Sequence, residues 1–172
     1  SAVQELEEIS VSDKGITADL ALIAGHLEAN QLDKALKAID SLEKKQPNNP
    51  ATHNLRARAL LAKKNLAGAR DSFEKAVSIN PTFFPAVASL ATLDILEKKP
   101  DEARRRFEAI IGVDPKNTQA LLALAELKAS NGGTPDEVSA LLGKAINASP
   151  SEPAPRLALI QYFLNIKEYK KA

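Results

Sequence analysis

The chain has 172 residues, with 23 Lys+Arg against 22 Asp+Glu and a formal net charge of +1, which excludes a nucleic-acid or membrane binder working through bulk positive charge. Hydrophobic residues make up 44% and charged residues 26%, and 29 Ala and 23 Leu against 7 Gly favour an all-helical chain with a packed core. Cysteine is absent, so disulfides, thiolate metal sites and thiol nucleophiles are excluded, and no apolar run is long enough to cross a membrane as a helix.

A period organises the whole chain. Ala35, Ala69, Ala103, Val138 and Ala172 stand 34, 34, 35 and 34 residues apart, and Pro47, Pro81, Pro115 and Pro150 keep the same spacing. In chain order, residues 1–15 read as the second helix of a preceding hairpin, helical over Ala2 to Val11. Residues 16–49, 50–83, 84–117 and 118–152 read as four helix hairpins, and 153–172 as a partial one. Each second helix carries an apolar stripe at i, i+4 and i+7, as in Ala35, Ile39, Leu42 or Ala69, Phe73, Ala76. The helix then runs into a proline, and the residue before a proline is pushed out of helical geometry. Pro100-Asp101-Glu102 opens one second helix with carboxylates at its positive end. Thr134-Pro135-Asp136-Glu137 reads as a capping box opening another, after one inserted residue near Gly132-Gly133. On the first helices, Ala57, Ala91 and Ala125 allow close approach, whereas Ile23 and Ile160 put bulk at the corresponding places. The phase of the period, with no methionine and no signal segment in the sequence, leads us to expect a piece excised from a longer array.

No chemistry-bearing constellation stands out. His26 and His53 have no ligand-spaced partner, and a metal site needs three or four convergent ligands. Both are expected to have packing or surface roles, with no metal and no cofactor. There is no Gly-x-Ser-x-Gly element and no glycine-rich phosphate cradle, so no enzyme activity is expected. Asp and Glu are expected on solvated faces or in first turns. Arg104-Arg105-Arg106 spreads around its helix rather than forming one patch, with Asp101 and Glu102 as partners.

The repeat of Ala69-x3-Phe73-x2-Ala76 to Pro81 and Ala103-x3-Phe107-x2-Ile110 to Pro115, with Leu90-Ala91 and Leu124-Ala125 upstream, resembles the tetratricopeptide repeat (TPR). The resemblance covers essentially the whole chain. It implies an all-α, right-handed superhelical solenoid of TPR helix hairpins whose first helices line a concave groove. Carried over residue by residue, the groove positions include Leu20, Leu27, Asn54, Arg58, Leu61, Thr92, Ile95, Glu126 and Gln161, with Leu157 and Leu164 beside Gln161. Aliphatic positions punctuated by a few polar ones suit a peptide or helix partner. The two-carboxylate clamp of chaperone adaptors is not matched, because Leu20, Ala24, Ala88 and Thr92 stand where most of its basic and amide residues belong.

The stretch from Ala69 to Glu126, with Ala69-Arg70-Asp71-Ser72-Phe73-Glu74-Lys75-Ala76, Phe83-Phe84-Pro85-Ala86 and Asp114-Pro115-Lys116-Asn117, is also similar to the TPR lipoproteins of the PEP-CTERM/exosortase system (PrsT-like proteins). That resemblance implies a protein–protein interaction scaffold in the bacterial envelope, linked to exopolysaccharide and PEP-CTERM protein export. It would be periplasmic or tethered to the outer membrane by a lipid anchor outside these residues, and otherwise cytoplasmic. A protein or peptide partner is expected, with no nucleic acid and no direct membrane insertion. The alternative reading is a structural spacer or self-assembly module that stacks through apolar repeat ends such as Leu159, Phe163 and Ile166.

Overall fold

A computed structural model describes residues 2–12 and 15–169. Ala172, one of the residues that phase the repeat, lies outside the described residues. Among those described, the chain is all-α, with ten helices and no strand. The helices are α1 (Ala2–Ser12), α2 (Thr17–Glu28), α3 (Leu32–Lys45), α4 (Pro50–Ala62), α5 (Leu66–Ile79), α6 (Phe84–Leu96), α7 (Pro100–Val113), α8 (Thr118–Ser130), α9 (Pro135–Ala148) and α10 (Ala154–Tyr169). Chain contacts divide them into two compact units, residues 1–86 and 87–172.

In the first unit α2 pairs with α3 and α4 with α5, while α1 packs on α2 and α3 on α4. The stripes that hold these pairs are the ones the spacing predicts. Ala35, Ile39 and Leu42 of α3 are at most 2% exposed, and Ala69, Phe73 and Ala76 of α5 are fully buried. Burying one such large apolar side chain contributes roughly 1.5–3 kcal/mol. Ile23, bulky where other repeats have alanine, is accommodated in a cluster with Ile39, Leu42 and Ala59.

The second unit repeats the arrangement. Ala103, Phe107 and Ile110 of α7 and Val138, Leu142 and Ala145 of α9 form the buried stripes. α8 packs on both α7 and α9, and α10 packs on α9 and α8. Ala125 is 1% exposed against Val138 and Leu142, whereas Ile160, its counterpart one repeat later, is 57% exposed.

The turns after α2, α4, α6 and α8 share one geometry. Asn30, Lys64, Lys98 and Gly132 all have positive φ, at 55, 61, 61 and 79°. Behind each, the next N–H reaches back to a carbonyl of the last helical turn. Gln31 donates to His26 O at 2.7 Å, Asn65 to Leu60 O at 2.9 Å, Lys99 to Asp94 O at 2.8 Å and Gly133 to Lys128 O at 2.8 Å. This is the left-handed helix ending that satisfies orphan carbonyls. Only the fourth uses glycine, and three L-residues hold a conformation that disfavours a Cβ. A Cβ on Gly133 would sit 2.8 Å from Lys128 O, so that position also needs glycine, for space.

Helix starts are capped by side chains where the sequence offers them. Asn49, Asn65 and Asn117 accept from Ala51, Gly68 and Ala120 N–H groups. At α9 the capping box is complete: Thr134 accepts from Glu137 N–H, and the Glu137 carboxylate accepts from Thr134 N–H at 2.9 Å. Lys128 adds a third contact to that carboxylate at 2.9 Å. The Lys128 ammonium and the Thr134 N–H together pull the Glu137 carboxyl down to about 2.

Two expectations about charge are corrected. Asp19 and Asp94 are not solvated; they are 0% and 2% exposed. Asp19 accepts from Ser10 Oγ at 2.7 Å and from Lys45 Nζ at 2.6 Å. Arg104 and Arg105 do pair with Asp101, Glu108 and Glu102 on the surface of α7. Arg106, however, turns inward and donates through Nε to Asp94 of α6 at 2.6 Å. Desolvating a carboxylate this deeply is tolerated only when charge and hydrogen bonds compensate it, and each buried aspartate recruits a cation from the following second helix.

Candidate peptide-binding faces of the first helices

In the first unit, Leu20 and Leu27 lie on α2 two turns apart, and Asn54, Arg58 and Leu61 follow at i, i+4 and i+7 on α4. They therefore share one face of their helix. Leu20 is 42% exposed and Arg58 is exposed, while Leu27, Asn54 and Leu61 are half-buried. Leu27 is partly committed to packing, since it lies against the Ile23–Ile39–Leu42–Ala59 cluster. No hydrogen bond or ion pair engages the Arg58 side chain among the described residues. Asn54 Oδ1 is buried without a hydrogen-bond partner, an uncompensated polar atom that costs on the order of 1–3 kcal/mol.

Arg56, two positions from Arg58 and on another face, behaves differently. Its guanidinium donates to Asp40 at 2.6 Å and Glu43 at 2.7 Å, and Lys75 also reaches Glu43 at 3.0 Å. Burial opposes charge on Glu43, but the Lys75 and Arg56 bonds outweigh it and hold the carboxyl below its ordinary range. His53 is 1% exposed, with Nδ1 3.8 Å from Glu43, and His26 is 5% exposed with Nδ1 3.0 Å from Gln31 Oε1. The histidines are packed residues. Among the described residues no group of three or more His, Asp or Glu side chains could hold a metal ion.

In the second unit the face opens into a cavity of about 430 Å³ between α8 and α10, floored by α9. Leu122, Glu126 and Ala129 of α8 line it, with Ala158, Gln161, Tyr162 and Asn165 of α10 and with Val138 and Leu142 beneath. Glu126 and Gln161, two of the groove positions the TPR resemblance implies, both line this cavity. Thr92 and Ile95 of α6 do not line it; both are exposed, and Thr92 Oγ1 donates to its own helix at Ala88 O, 2.9 Å away. Leu157 and Leu164, the groove positions expected beside Gln161, are not among the cavity's lining residues. They are 61% and 51% exposed and lie outside the cavity, because the stripe that faces α8 and α9 is Ala158, Gln161, Tyr162 and Asn165, one residue further round the helix. Tyr162 and Asn165 were missed for that reason. Gln161 Nε2 donates to Asn165 Oδ1 at 2.8 Å, fixing both amides at the rim.

The volume falls inside the roughly 300–1,000 Å³ range of ligand clefts. The walls are aliphatic and aromatic and the rim carries two amides and a carboxylate, a surface for holding a side chain and a backbone. A second opening of about 280 Å³, lined by Leu159, Ile160, Phe163, Leu164 and Lys167, lies on the far side of α10. No helix among the described residues is long and apolar enough to cross a membrane.

Comparison with known proteins assigns the repeat. Two family models described as tetratricopeptide repeat match residues 20–82 and 60–127, together more than half of the chain. The chain belongs to the tetratricopeptide-repeat family, whose members are generally non-catalytic interaction modules. No curated protein sequence matches it. Among solved structures it is similar to TTC0263, a thermophilic TPR protein of Thermus thermophilus, at 19% identity, with 95% of this chain and 89% of that one covered and a TM-score of 0.67. It is similar to YrrB, a TPR protein with an unusual peptide-binding site, at 16% identity, 97% and 84% coverage and a TM-score of 0.56. The first TPR of Spaghetti (RPAP3), solved bound to an HSP90 peptide, matches at 21% identity, 67% and 96% coverage and a TM-score of 0.52. These likenesses establish the fold.

Proposed function

We propose that the chain is a non-catalytic interaction scaffold that holds a peptide or helix of a protein partner against the first helices of its repeats. The observation that carries this reading is the cavity between α8 and α10, where an apolar floor lies beneath the rim groups Glu126, Gln161 and Asn165. In the first unit, the unengaged Arg58 and the half-buried Asn54, with its orphaned Oδ1, are the groups that would orient a partner's backbone or carboxylates. Peptide-binding TPR structures of similar fold support the same use. The setting we propose is the bacterial envelope, periplasmic or tethered to the outer membrane, in exopolysaccharide and PEP-CTERM protein export. Its support is the wording of the repeats from Ala69 to Glu126. The test is affinity capture from envelope extract on immobilised wild type, Arg58→Glu and Ala129→Trp, read by mass spectrometry. Proteins retained by wild type and lost from either variant are the expected result, and equal retention on all three would overturn the reading.

A second reading is favoured by the exposed apolar face of α10, where Leu157, Ile160, Phe163 and Leu164 are 43–61% exposed. A spacer that self-associates through this face would show concentration-dependent mass in solution. Phe163→Glu would abolish that mass change and Ala129→Trp would not.

A further inference from the structure

The geometry points to a defined partner chemistry for the cavity between α8 and α10: an internal peptide segment with one large aliphatic or aromatic anchor residue and a lysine or arginine nearby. This rests on the groove reading above and specifies what the groove selects. Three observations carry it. The floor is Leu122, Ala125, Val138, Leu142 and Tyr162, continuous with the buried cluster of the unit, so an anchor side chain seated there extends an existing core. Glu126 is the single charged residue among the lining side chains, and no hydrogen bond or ion pair engages its carboxylate among the described residues. The nearest basic residue on the same helix, Lys128, is already committed to Glu137 at 2.9 Å.

The consequence is a site with a free acid and no lining cation. A C-terminal carboxylate or an acidic side chain entering it would meet like charge with nothing to neutralise it, whereas a lysine or arginine would find an unpaired carboxylate at the rim. The fixed amides of Gln161 and Asn165 offer neutral hydrogen bonds that read a peptide backbone without adding charge preference. An anchor in the floor and a cation at Glu126 therefore select by two independent features.

The test uses the full chain and fluorescein-labelled peptides of about twelve residues, acetylated and amidated at their ends, each with one Leu or Phe anchor flanked by either Lys or Glu. Affinities are measured by anisotropy for wild type, Glu126→Gln, Glu126→Lys and Ala129→Trp. All three variants replace exposed residues, and matching thermal melts establish that they fold. Wild type is expected to prefer the Lys-flanked peptides roughly tenfold. Glu126→Gln removes that preference, Glu126→Lys inverts it and Ala129→Trp abolishes binding of both sets. Equal affinity for the two sets on wild type, or a preference that survives Glu126→Gln, overturns this inference. In that case the groove reading stands if Ala129→Trp still abolishes binding. No binding of any peptide to wild type overturns both.

Discussion

Lys45 Nζ lies 2.6 Å from Asp19 Oδ2, joining the last residue of α3 to the first turn of α2 across 26 positions of sequence. The same ammonium donates to the backbone carbonyls of Ser10 at 2.7 Å and Gly15 at 3.1 Å. One cation therefore ties the end of α1, the α1–α2 connection and α2 to α3, and it neutralises a carboxylate with no exposure of its own.

Removing that cation leaves Asp19 buried and unpaired, so Lys45→Met is expected to destabilise the first unit by about 3 kcal/mol, the usual scale for breaking a buried pair. The double variant Lys45→Met, Asp19→Leu should recover most of the loss. Urea denaturation followed by circular dichroism measures both, and equal stability of Lys45→Met and wild type would show that the pair carries nothing.

The left-handed turns give a prediction of opposite sign. Lys64→Gly and Lys98→Gly relieve a positive-φ lysine and are each expected to stabilise the chain by about 0.5–1 kcal/mol, the net of relieved strain and lost chain stiffness. Gly133→Ala, with its Cβ against Lys128 O at 2.8 Å, should destabilise it. Midpoints of chemical denaturation decide, and a lowered midpoint for the glycine variants would contradict the assignment.

Much of the fold was legible in the sequence because its determinants are periodic and local. The stripes Ala35, Ile39, Leu42 and Ala69, Phe73, Ala76 are buried because a spacing of i, i+4, i+7 admits one facing. Thr134 and Glu137 cap α9 because the motif is complete within four residues. What escaped depends on contacts across helices. Asp19 and Asp94 look like surface acids until Lys45 and Arg106 arrive from the next helix. The turn lysines carry no local sign of positive φ; only their register, 34 residues apart with Asn30 and Gly132, gives it. At the candidate site Glu126 followed from the TPR resemblance, but Tyr162 and Asn165 did not, because the rotation of α10 is set by its packing on α9 and α8.

Glu137 gives a pH prediction. Its carboxyl is held down to about 2 by Lys128 and the Thr134 N–H, against an ordinary value of 4.5. A depressed carboxyl contributes stability that is present above 4.5 and is lost as pH falls through about 2. Carbon-detected NMR titration should therefore show Glu137 still ionised at pH values where exposed glutamates are protonated. Thr134→Ala or Lys128→Met should raise its midpoint, and an unshifted midpoint in both variants would contradict the contacts.

Chemical-shift mapping decides whether the face between α8 and α10 receives a partner. Labelled chain titrated with the Lys-flanked Leu peptide should show perturbed amides clustered at Leu122, Ala129, Gln161 and Asn165, with Ile160 and Phe163 on the far side of α10 unmoved. Perturbations confined to Ile160, Phe163 and Leu164, or a spectrum unchanged at saturating peptide, would contradict it.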